Sequence, residues 1–348
     1  MRLSLSREPT TLNRELMLLF GGPAFFQVLV SAHRLGLFRR LAAHPGMTRE
    51  ELAPSLGIPD ISVRALLMAT QSLGLVTRDE RGGYSNQAWV TPSFTGDAQE
   101  LPSVLEAYEQ LLYRPFGRME ESLKAGTNTG LELIPGPGNT LYERLTAHPA
   151  LENVFHAWMS NLSSQGLPPR LVESFAGCRH VLDVGGGDGT NAVLLARAHP
   201  GMQVTVLDLP SVCVQAEARV DREGLSDQVS AVPWNIRAGD FPGGADAILF
   251  SRIFNIYSAE QNADFVSRAA AALPKGGKLV VYPAMVANDD GGGPLSAAFL
   301  ALYYLCIATG EGRVYAPTEY EQWFRDAGFE SLVCTVDDRD EAVFVGTK

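Results

Sequence analysis

The chain has 348 residues, of which 46% are hydrophobic and 19% charged, a composition that supports a folded core and excludes disorder, collagen-like repeats and a small disulfide scaffold. Lys and Arg total 28 against 39 Asp and Glu, so the formal net charge is −11. This acidic balance disfavours nucleic acid and anionic membrane surfaces as partners. The composition therefore predicts a soluble enzyme, long enough for about two domains.

The cysteines and the N-terminus indicate the compartment. The four cysteines stand singly, without a C-x-x-C or metal-like pairing, which is typical of thiols in a reducing environment. The N-terminal segment MRLSLSREPTTLNREL lacks the apolar core and cleavage site of a secretory signal. The apolar stretch MLLFGGPAFFQVLV is interrupted by Gly21, Gly22 and Pro23 and is shorter than the roughly 20 residues of a membrane span. These patterns predict a cytoplasmic protein.

The first hundred residues predict helices followed by a hairpin. Residues 16–41 carry apolar residues at helical spacing, and a capping box begins at Thr48, before a helix that ends at Gly57. A third helix is predicted over 62–74, and a hairpin over 75–85. Helices followed by a hairpin are typical of a winged helix. Because this region has no basic patch, a structural or dimerisation role is favoured over DNA binding.

Beyond residue 100 the pattern changes twice. Residues 101–175 predict long amphipathic helices, interpreted as a linker and pocket helices, around the loop TNTGLELIPGPGN. From residue 176 the apolar segments HVLDV, QVTVLD, ADAILFS and KLVVY alternate with predicted helices. This alternation predicts an α/β fold with a parallel sheet and right-handed crossovers. The predicted domains are therefore 1–100, 101–175 and 176–348.

The sharpest motif is VLDVGGGDG, over residues 181–189. It predicts a buried strand that enters a glycine-rich turn and then a helix, and its glycines would allow a ligand to approach the main chain closely. Asp208 ends the second strand, where ribose hydroxyls are usually bound. Asp188 within the turn disfavours the pyrophosphate of NAD. S-adenosylmethionine, with an ammonium, a sulfonium and a ribose, fits these features better.

Together with DLP at 208–210, ALPKGGKL at 272–279 and FRDAGF at 324–329, this motif resembles the bacterial and plant small-molecule O-methyltransferases. The resemblance covers almost the whole chain. It implies a Rossmann-like class I S-adenosylmethionine-dependent methyltransferase domain, preceded by an α-helical winged-helix dimerisation domain. It also implies a homodimer whose partner helices help to close the active site. The implied substrate is a small aromatic or polyketide-like molecule of secondary metabolism, such as antibiotic biosynthesis.

The same resemblance implies the cofactor contacts. The turn glycines would face the methionine moiety, the acid after the second strand would bind the ribose, and either Asn235 or Asp240 would flank the adenine. The full set is Asp183, Gly185, Gly187, Asp208, Leu209, Asn235, Asp240, Ser251 and Arg252.

This chain departs from the catalytic signature of that family. Family members follow the fourth strand with an L-H-D-W segment whose histidine removes the acceptor proton, but the matching stretch here is FNIYS, with Asn255 at the histidine position. An asparagine cannot act as a general base near neutral pH. None of the six histidines lies after the second predicted strand. The acids that orient the family histidine fall on Pro283 and near Val314. We therefore expect methyl transfer governed by positioning, first to oxygen.

Other chemistry stays open at this stage. Transfer to carbon or nitrogen, for example on an enolised keto acid, is one alternative, and a non-methylating enzyme that binds S-adenosylmethionine is another. A non-catalytic regulator is the rival from a different class. Asp289 and Asp290 lie in a glycine-rich loop typical of a solvated turn, so no metal is predicted.

The acceptor side has fewer sequence markers. Asn255 is a candidate contact to the acceptor, and His156 is a candidate replacement base because it lies about one helical turn before Met159. The resemblance implies substrate contacts at Met159, Phe299, Tyr303 and Tyr304.

Overall fold

The computed structural model describes residues 11–95, 100–164, 167–237, 239–283, 285–336 and 342–348. The chain divides into two compact units, Met1–Glu109 and Gln110–Lys348. The first unit has one cluster of buried apolar residues, and the second has two, one on each face of its sheet.

The N-terminal unit is helical with one small hairpin. Thr48 caps the third helix with a capping box, since its main-chain N–H donates to Glu51 Oε2 at 2.8 Å and its Oγ1 accepts from Glu51 N at 3.4 Å. The two strands pair antiparallel, which confirms the predicted hairpin. The elements are α1 Thr11–Arg34, α2 Leu37–Ala43, α3 Arg49–Leu56, α4 Asp60–Ser72, β1 Val76–Arg78, β2 Tyr84–Asn86, α5 Val90–Thr95 and α6 Glu100–Ala107.

The predicted helical stretch 16–41 divides into α1 and α2, and α1 continues through Gly21, Gly22 and Pro23. The strong helix formers around these residues outweigh their low helix propensity. The stretch Arg14–Arg34 is consequently long and apolar enough to cross a membrane by length and composition, and it is longer than the apolar stretch considered in the sequence analysis. Near its end α1 packs Val30 into the core of the unit.

The second unit begins with helices before its sheet. These are α7 Met119–Ala125, α8 Leu141–Leu145, α9 Pro149–Ser164 and α10 Pro169–Ser174. The later helices are α11 Thr190–Ala198, α12 Pro210–Glu223, α13 Ala259–Ala272, α14 Leu295–Tyr303 and α15 Pro317–Asp326. A π-helical turn, Tyr304–Ala308, directly continues α14.

The described residues of this unit form a seven-stranded sheet in the order β5-β4-β3-β6-β7-β9-β8. The strands are β3 His180–Val184, β4 Gln203–Asp208, β5 Val229–Pro233, β6 Ala247–Ser251, β7 Lys278–Tyr282, β8 Ser331–Val336 and β9 Ala342–Thr347. The first five strands are parallel, as predicted, but β9 runs antiparallel to both of its neighbours. The sequence analysis missed β5 and this C-terminal pair.

The strand order fixes where a ligand can bind. Strand β3 pairs with β4 on one side and with β6 on the other, so the chain order reverses at β3. In open α/β sheets, ligands bind outside the carboxyl ends of the strands at such a switch point. Alternating side chains fill both faces, with Val181 in one core cluster and Leu182 and Val184 in the other. The carboxyl ends of β3, β4 and β6 therefore form the candidate site.

Candidate functional site

The turn after β3 requires its glycines. Gly185, Gly187 and Gly189 have φ values of 69°, 60° and 77°, in the left-handed region that side chains disfavour. A Cβ on Gly185 would collide with the side chain of Ile253, whereas a Cβ on Gly187 would meet nothing within 4 Å. The main chain at Gly187 therefore borders open space.

Asp208, at the end of β4, holds this turn in place. Its Oδ2 accepts a hydrogen bond from Gly187 N at 2.8 Å, and its Oδ1 accepts one from Leu209 N at 2.7 Å. Burial raises the pKa of this carboxyl, while the two main-chain N–H groups act to lower it. Each carboxylate oxygen has a second lone pair, so Asp208 can also accept hydrogen bonds from the hydroxyls of a ribose.

Asp183 lies directly beneath the turn. It is fully buried, and neither of its carboxyl oxygens accepts a hydrogen bond from any described residue. A Cβ on Gly186 would come within 2.7 Å of its Oδ2. Burial, with a further contribution from Asp208, raises the pKa of Asp183 to about 7. A buried carboxyl without a partner is costly, so it is suited to a ligand that brings a donor or a positive charge.

Asp188 has a different role from the one predicted. Its Oδ2 forms an ion pair with Arg219 at 2.5 Å, and its Oδ1 accepts hydrogen bonds from the hydroxyl and main-chain N–H of Thr190, at 2.7 Å and 3.2 Å. The same arginine donates to Ser160 Oγ on α9 at 2.9 Å. The charge of Asp188 is therefore compensated within the protein, and this residue links the turn to α9 and α12.

The end of β6 brings two predicted residues to the same edge. Ser251 is 8% exposed and accepts a hydrogen bond from Asn191 Nδ2 at 3.0 Å. Arg252 has a φ of 58°, and among the described residues it is the only non-glycine with positive φ. Its N–H donates to Tyr282 O at 2.7 Å, and its Cζ lies 5.7 Å from the centre of the Tyr282 ring. Strained backbone of this kind clusters at functional sites.

The loop after β5 carries both candidate adenine contacts. Trp234 N donates to Asp208 O at 2.7 Å, so the loop begins beside the predicted ribose acid. Asn235 is exposed, and its Oδ1 accepts from Arg237 N at 2.9 Å. Asp240 is exposed further along the same loop. The geometry thus brings Asn235 to the carboxyl edge of the sheet.

Aromatic side chains from four elements of the second unit pack into an aromatic wall. We use this name for the four side chains Tyr142, Trp158, Tyr303 and Tyr304, from α8, α9, α14 and the π-helical turn. The Tyr303 ring lies 6.1 Å from that of Trp158 and 5.2 Å from that of Tyr304, and its hydroxyl interacts with that of Tyr142. Phe299 packs 5.6 Å from the ring of Phe116.

The phenols of this wall keep their protons at neutral pH. Burial raises the pKa of Tyr303 to about 12 and raises the pKa values of Tyr142 and Tyr304 further above the ordinary phenol value. A neutral phenol is a poor base but a good hydrogen-bond donor. These phenols can therefore donate hydrogen bonds but do not act as bases at neutral pH.

Asn255 is fully buried and bridges loops. Its Nδ2 donates to Arg313 O at 3.1 Å and to Met285 O at 3.4 Å. The following helix is capped by Ser258 instead, whose Oγ accepts from Gln261 N at 3.3 Å. These contacts favour a positioning role for Asn255.

His156 lies on the cofactor side of α9. Its side chain is 16% exposed, its Nε2 is 3.9 Å from Glu152 Oε1, and its charge acts to lower the pKa of Asp208. Met159, three residues later, is partly buried. Within the described part of the chain, no group of three or more His, Cys, Asp or Glu side chains has the arrangement of a metal site.

The residues present fit S-adenosylmethionine. The turn leaves space beside Gly187, Asp183 offers an unpartnered buried carboxyl, and Asp208 stands at the adjacent strand end. The profile of the O-methyltransferase domain family matches residues 123–330. The chain belongs to the O-methyltransferase family. It is an S-adenosylmethionine-dependent methyltransferase of the class I fold.

Similar proteins support the same family assignment. It is 31% identical over 316 residues to the L-tyrosine C(3)-methyltransferase of Streptomyces lavendulae, covering 90% of this chain and 85% of that protein. It is also 31% identical over 309 residues to the 3-hydroxy-5-methyl-1-naphthoate 3-O-methyltransferase of Streptomyces sahachiroi, covering 87% and 85%. The apo crystal structure of the S-adenosylmethionine-dependent methyltransferase SibL superimposes with a TM-score of 0.81 at 34% identity, covering 96% and 98%.

Sequence reasoning missed part of this site. Tyr142 and Trp158 complete the aromatic wall, and Arg219 links the turn to two helices. Aromatic residues on amphipathic helices more often fill a core, so their spacing alone gave no signal. The acid in the turn suggested that Asp188 needs a positively charged partner, but the sequence did not identify Arg219 as that partner.

Proposed function

We propose that this methyltransferase acts on a small aromatic hydroxy compound, a natural-product intermediate, and methylates its oxygen. The observation that carries this proposal is the aromatic wall, in a chain that is 31% identical to a naphthoate 3-O-methyltransferase. The wall offers phenol donors and apolar ring faces, which suit a flat hydroxylated ring.

The cofactor residues are proposed from the same geometry. S-adenosylmethionine, when bound, supplies an electrophilic methyl group. Asp208 accepts the ribose hydroxyls next to Leu209, while Gly185 and Gly187 present their main chain to the methionine moiety above Asp183. Either Asn235 or Asp240 flanks the adenine. Ser251 and Arg252 complete the set at the end of β6.

Positioning is the proposed source of the rate. Holding an acceptor against a reactive group in a suitable orientation can supply about 7–11 kcal/mol of the barrier. Met159, Phe299, Tyr303 and Tyr304 are the proposed substrate contacts. Asn255 is assigned to positioning because it ties together the loops that surround the acceptor side. If a protein base takes part, His156 is the candidate.

C-methylation of a phenol is the second candidate function. The L-tyrosine C(3)-methyltransferase of Streptomyces lavendulae, 31% identical to this chain, favours it. An ionised phenol is nucleophilic at its oxygen and at the adjacent ring carbons. Positioning of the ring relative to the cofactor would therefore decide which atom is methylated.

One experiment distinguishes these functions. The protein is incubated with S-adenosylmethionine and either L-tyrosine or 3-hydroxy-5-methyl-1-naphthoate, and products are analysed by mass spectrometry and methyl NMR. An O-methyl signal supports the first candidate and a C-methyl signal supports the second. Tyr303→Phe should weaken turnover, whereas Tyr320→Phe, a change at a fully buried tyrosine of the C-terminal core, should not. No methylation of a wider panel of phenols, enols and keto acids would refute the proposal.

The remaining organisation is proposed on similar grounds. We propose residues 1–100 as a winged-helix dimerisation domain, 101–175 as linker and pocket helices, and 176–348 as the catalytic domain, in a cytoplasmic homodimer without nucleic acid or membrane partners. Residues 16–20 of α1 are all exposed, with Phe20 at 79%. Five consecutive residues occupy all sides of a helix, so this part of α1 is apolar and exposed all round. We propose that a second copy of the chain covers it. Light scattering after gel filtration tests this, and a monomer at micromolar concentration would contradict it.

A further inference from the structure

Arg219 closes a ring of hydrogen bonds beside the glycine turn, residues 185–189. Its Nη2 donates to Asp188 Oδ2 at 2.5 Å and to Ser160 Oγ at 2.9 Å. Asp188 Oδ1 accepts from the hydroxyl of Thr190 at 2.7 Å, and this hydroxyl lies 3.5 Å from Ser160 Oγ. The four side chains therefore join the turn to α9 and to α12.

The ring is suited to fixing a position more than to adding stability. The side chains of Arg219 and Asp188 are 26% and 17% exposed, so solvent partly screens their attraction. The Nε of Arg219 is buried and donates to no described residue, which is a cost of this arrangement. Apolar packing would join the same elements without that cost. Hydrogen bonds from a charged group, in contrast, fix both the distance and the direction of their partners.

Helix α9 connects this ring to the aromatic wall. Ser160 belongs to the ring, whereas the ring of Trp158 lies 6.1 Å from that of Tyr303 in the wall. Because a helix has about 3.6 residues per turn, the side chains of Ser160 and Trp158 point about 200° apart. Met159 points about 100° from each of them. One helix therefore carries a bond to the cofactor side on one face and a wall residue on the opposite face.

We propose that Arg219 is a positioning residue of this methyltransferase. Through Asp188 and Ser160 it fixes α9 at the glycine turn, and it thereby sets where Trp158 and Met159 lie relative to the cofactor. The inference rests on the proposed function, which assigns Met159 to the acceptor. A misplacement of about 1 Å can slow an enzyme about 100-fold, so even a small shift of α9 has a measurable consequence.

The first test needs no acceptor. Hydrogen–deuterium exchange of the full-length protein is measured with and without saturating S-adenosylhomocysteine, over residues 149–161 of α9 and over residues 317–326 of α15. A ligand that orders the turn should also order the helix bonded to it, so exchange over 149–161 should slow about threefold or more. Helix α15 contributes to the core on the other face of the sheet from α11, and its exchange should slow less than about twofold.

Ser160→Ala is the deciding variant. It removes the bond to α9 and keeps the ion pair of Arg219 with Asp188, whereas Arg219→Ala also leaves that carboxylate without its cation. Both variants should lose the response of residues 149–161. Ser160→Ala should still bind S-adenosylhomocysteine with a Kd within about twofold of the unmodified protein, because the turn keeps its own contacts.

The second test uses an acceptor that the unmodified enzyme methylates. Ser160→Ala should lower kcat about fivefold and leave the KM for S-adenosylmethionine within about twofold, because orientation is lost and cofactor binding is kept. Arg219→Lys, which keeps a cation beside Asp188, should recover most of the kcat that Arg219→Ala loses. Arg197→Ala is the matched control, since it breaks a pair between α11 and α12 whose arginine is 55% exposed. It should change neither kcat nor the exchange of residues 149–161.

The outcomes separate this inference from the proposed function. If S-adenosylhomocysteine binds and leaves the exchange of residues 149–161 unchanged, the inference is overturned and the proposed function stands. If Ser160→Ala keeps the full exchange response, or if Arg197→Ala loses as much of it as Arg219→Ala, the inference is also overturned. If no acceptor is methylated, the proposed function fails, and the exchange response still decides whether Arg219 positions α9.

Discussion

The two sides of the sheet edge are constructed differently. The cofactor side is made of main chain and short acidic side chains within residues 183–209, where Asp208 holds Gly187 and Asp183 lies under the same turn. The proposed acceptor side is made of large side chains from four elements, between Tyr142 on α8 and Tyr304 after α14.

This difference determines how many amino-acid substitutions each side can tolerate. Positive-φ glycines and a carboxylate bonded to two main-chain N–H groups leave little freedom for substitution on the cofactor side. An aromatic wall tolerates exchange of one ring for another, because the apolar contacts are not directional. Related methyltransferases that share the first side can therefore accept different substrates at the second.

The largest effect is expected at Asp208, the centre of the cofactor side. Asp208→Ala removes the proposed ribose anchor and the acceptor for Gly187 N–H, so affinity for S-adenosylmethionine should fall about 100-fold or more. Isothermal titration calorimetry measures this directly. Asp289→Ala, an exposed acid whose Oδ1 accepts from Thr318, is the matched control. Unchanged affinity in Asp208→Ala would remove this residue from the cofactor site.

The next largest effect is a pH dependence of cofactor affinity and of stability, which Asp183 on the cofactor side should cause. Because the pKa of Asp183 is raised to about 7, the carboxyl is protonated below that pH, and affinity for the cationic cofactor should rise up to about tenfold per pH unit until about pH 7. The unliganded protein should behave oppositely. Its free energy of unfolding should fall as pH rises from about 4 to about 7, since the folded state binds a proton that the unfolded chain has released.

Asp183→Asn keeps the size of the side chain and removes its titration. Both slopes should therefore be lost in this variant, as measured by calorimetric titration and by thermal unfolding in matched buffers. Slopes that persist in Asp183→Asn would have to be assigned to another group, such as Asp208.

On the acceptor side, Asn255→Ala should have a smaller effect on turnover. Loss of the amide that bridges Met285 O and Arg313 O should lower the free energy of unfolding by about 1–2 kcal/mol and reduce kcat by less than the roughly 10²–10⁴-fold expected for a true acid or base. The pH profile of kcat should keep its shape. A fall in kcat of about 10³-fold in a folded variant would instead show that Asn255 is catalytic.

The smallest effect is expected at the link between the two sides. Arg219→Ala breaks the partly buried pair with Asp188 and the bond to Ser160 on α9, so the free energy of unfolding should fall by about 1 kcal/mol. Arg197→Ala, which breaks a more exposed pair with Glu223, is the comparison and should cost about 0.5 kcal/mol or less. Equal losses in chemical denaturation would show that the Arg219 link adds nothing.

Much of the cofactor side could be predicted from the sequence because its parts are local. Strand β3, the glycine turn and Asp208 follow one another along the chain, and the type of each residue reports its backbone geometry or its charge. The role of Asp188 could not be predicted in this way, because its partner Arg219 comes from the next helix, which is placed by packing.

The acceptor side shows the limit of the sequence. It indicated Phe299, Tyr303 and Tyr304 through the family resemblance, but it did not indicate that Tyr303 packs on Tyr304 and Phe299 packs on Phe116. Asn255 was placed correctly after the predicted strand ADAILFS, yet its hydrogen bonds run to carbonyls 30 and 58 residues away. Contacts over such separations depend on how the loops fold together.

The sequence by itself therefore determined the α/β fold class, the cofactor and the membership of a methyltransferase family, since these depend on strand–turn–helix segments with short-range signals. Tertiary structure decided the antiparallel end of the sheet, the composition of the aromatic wall and the pairing of Arg219 with Asp188. The physical reason is that backbone conformation is set by neighbouring residues, whereas burial, pKa and the partners of a side chain are set by whatever the fold places around it.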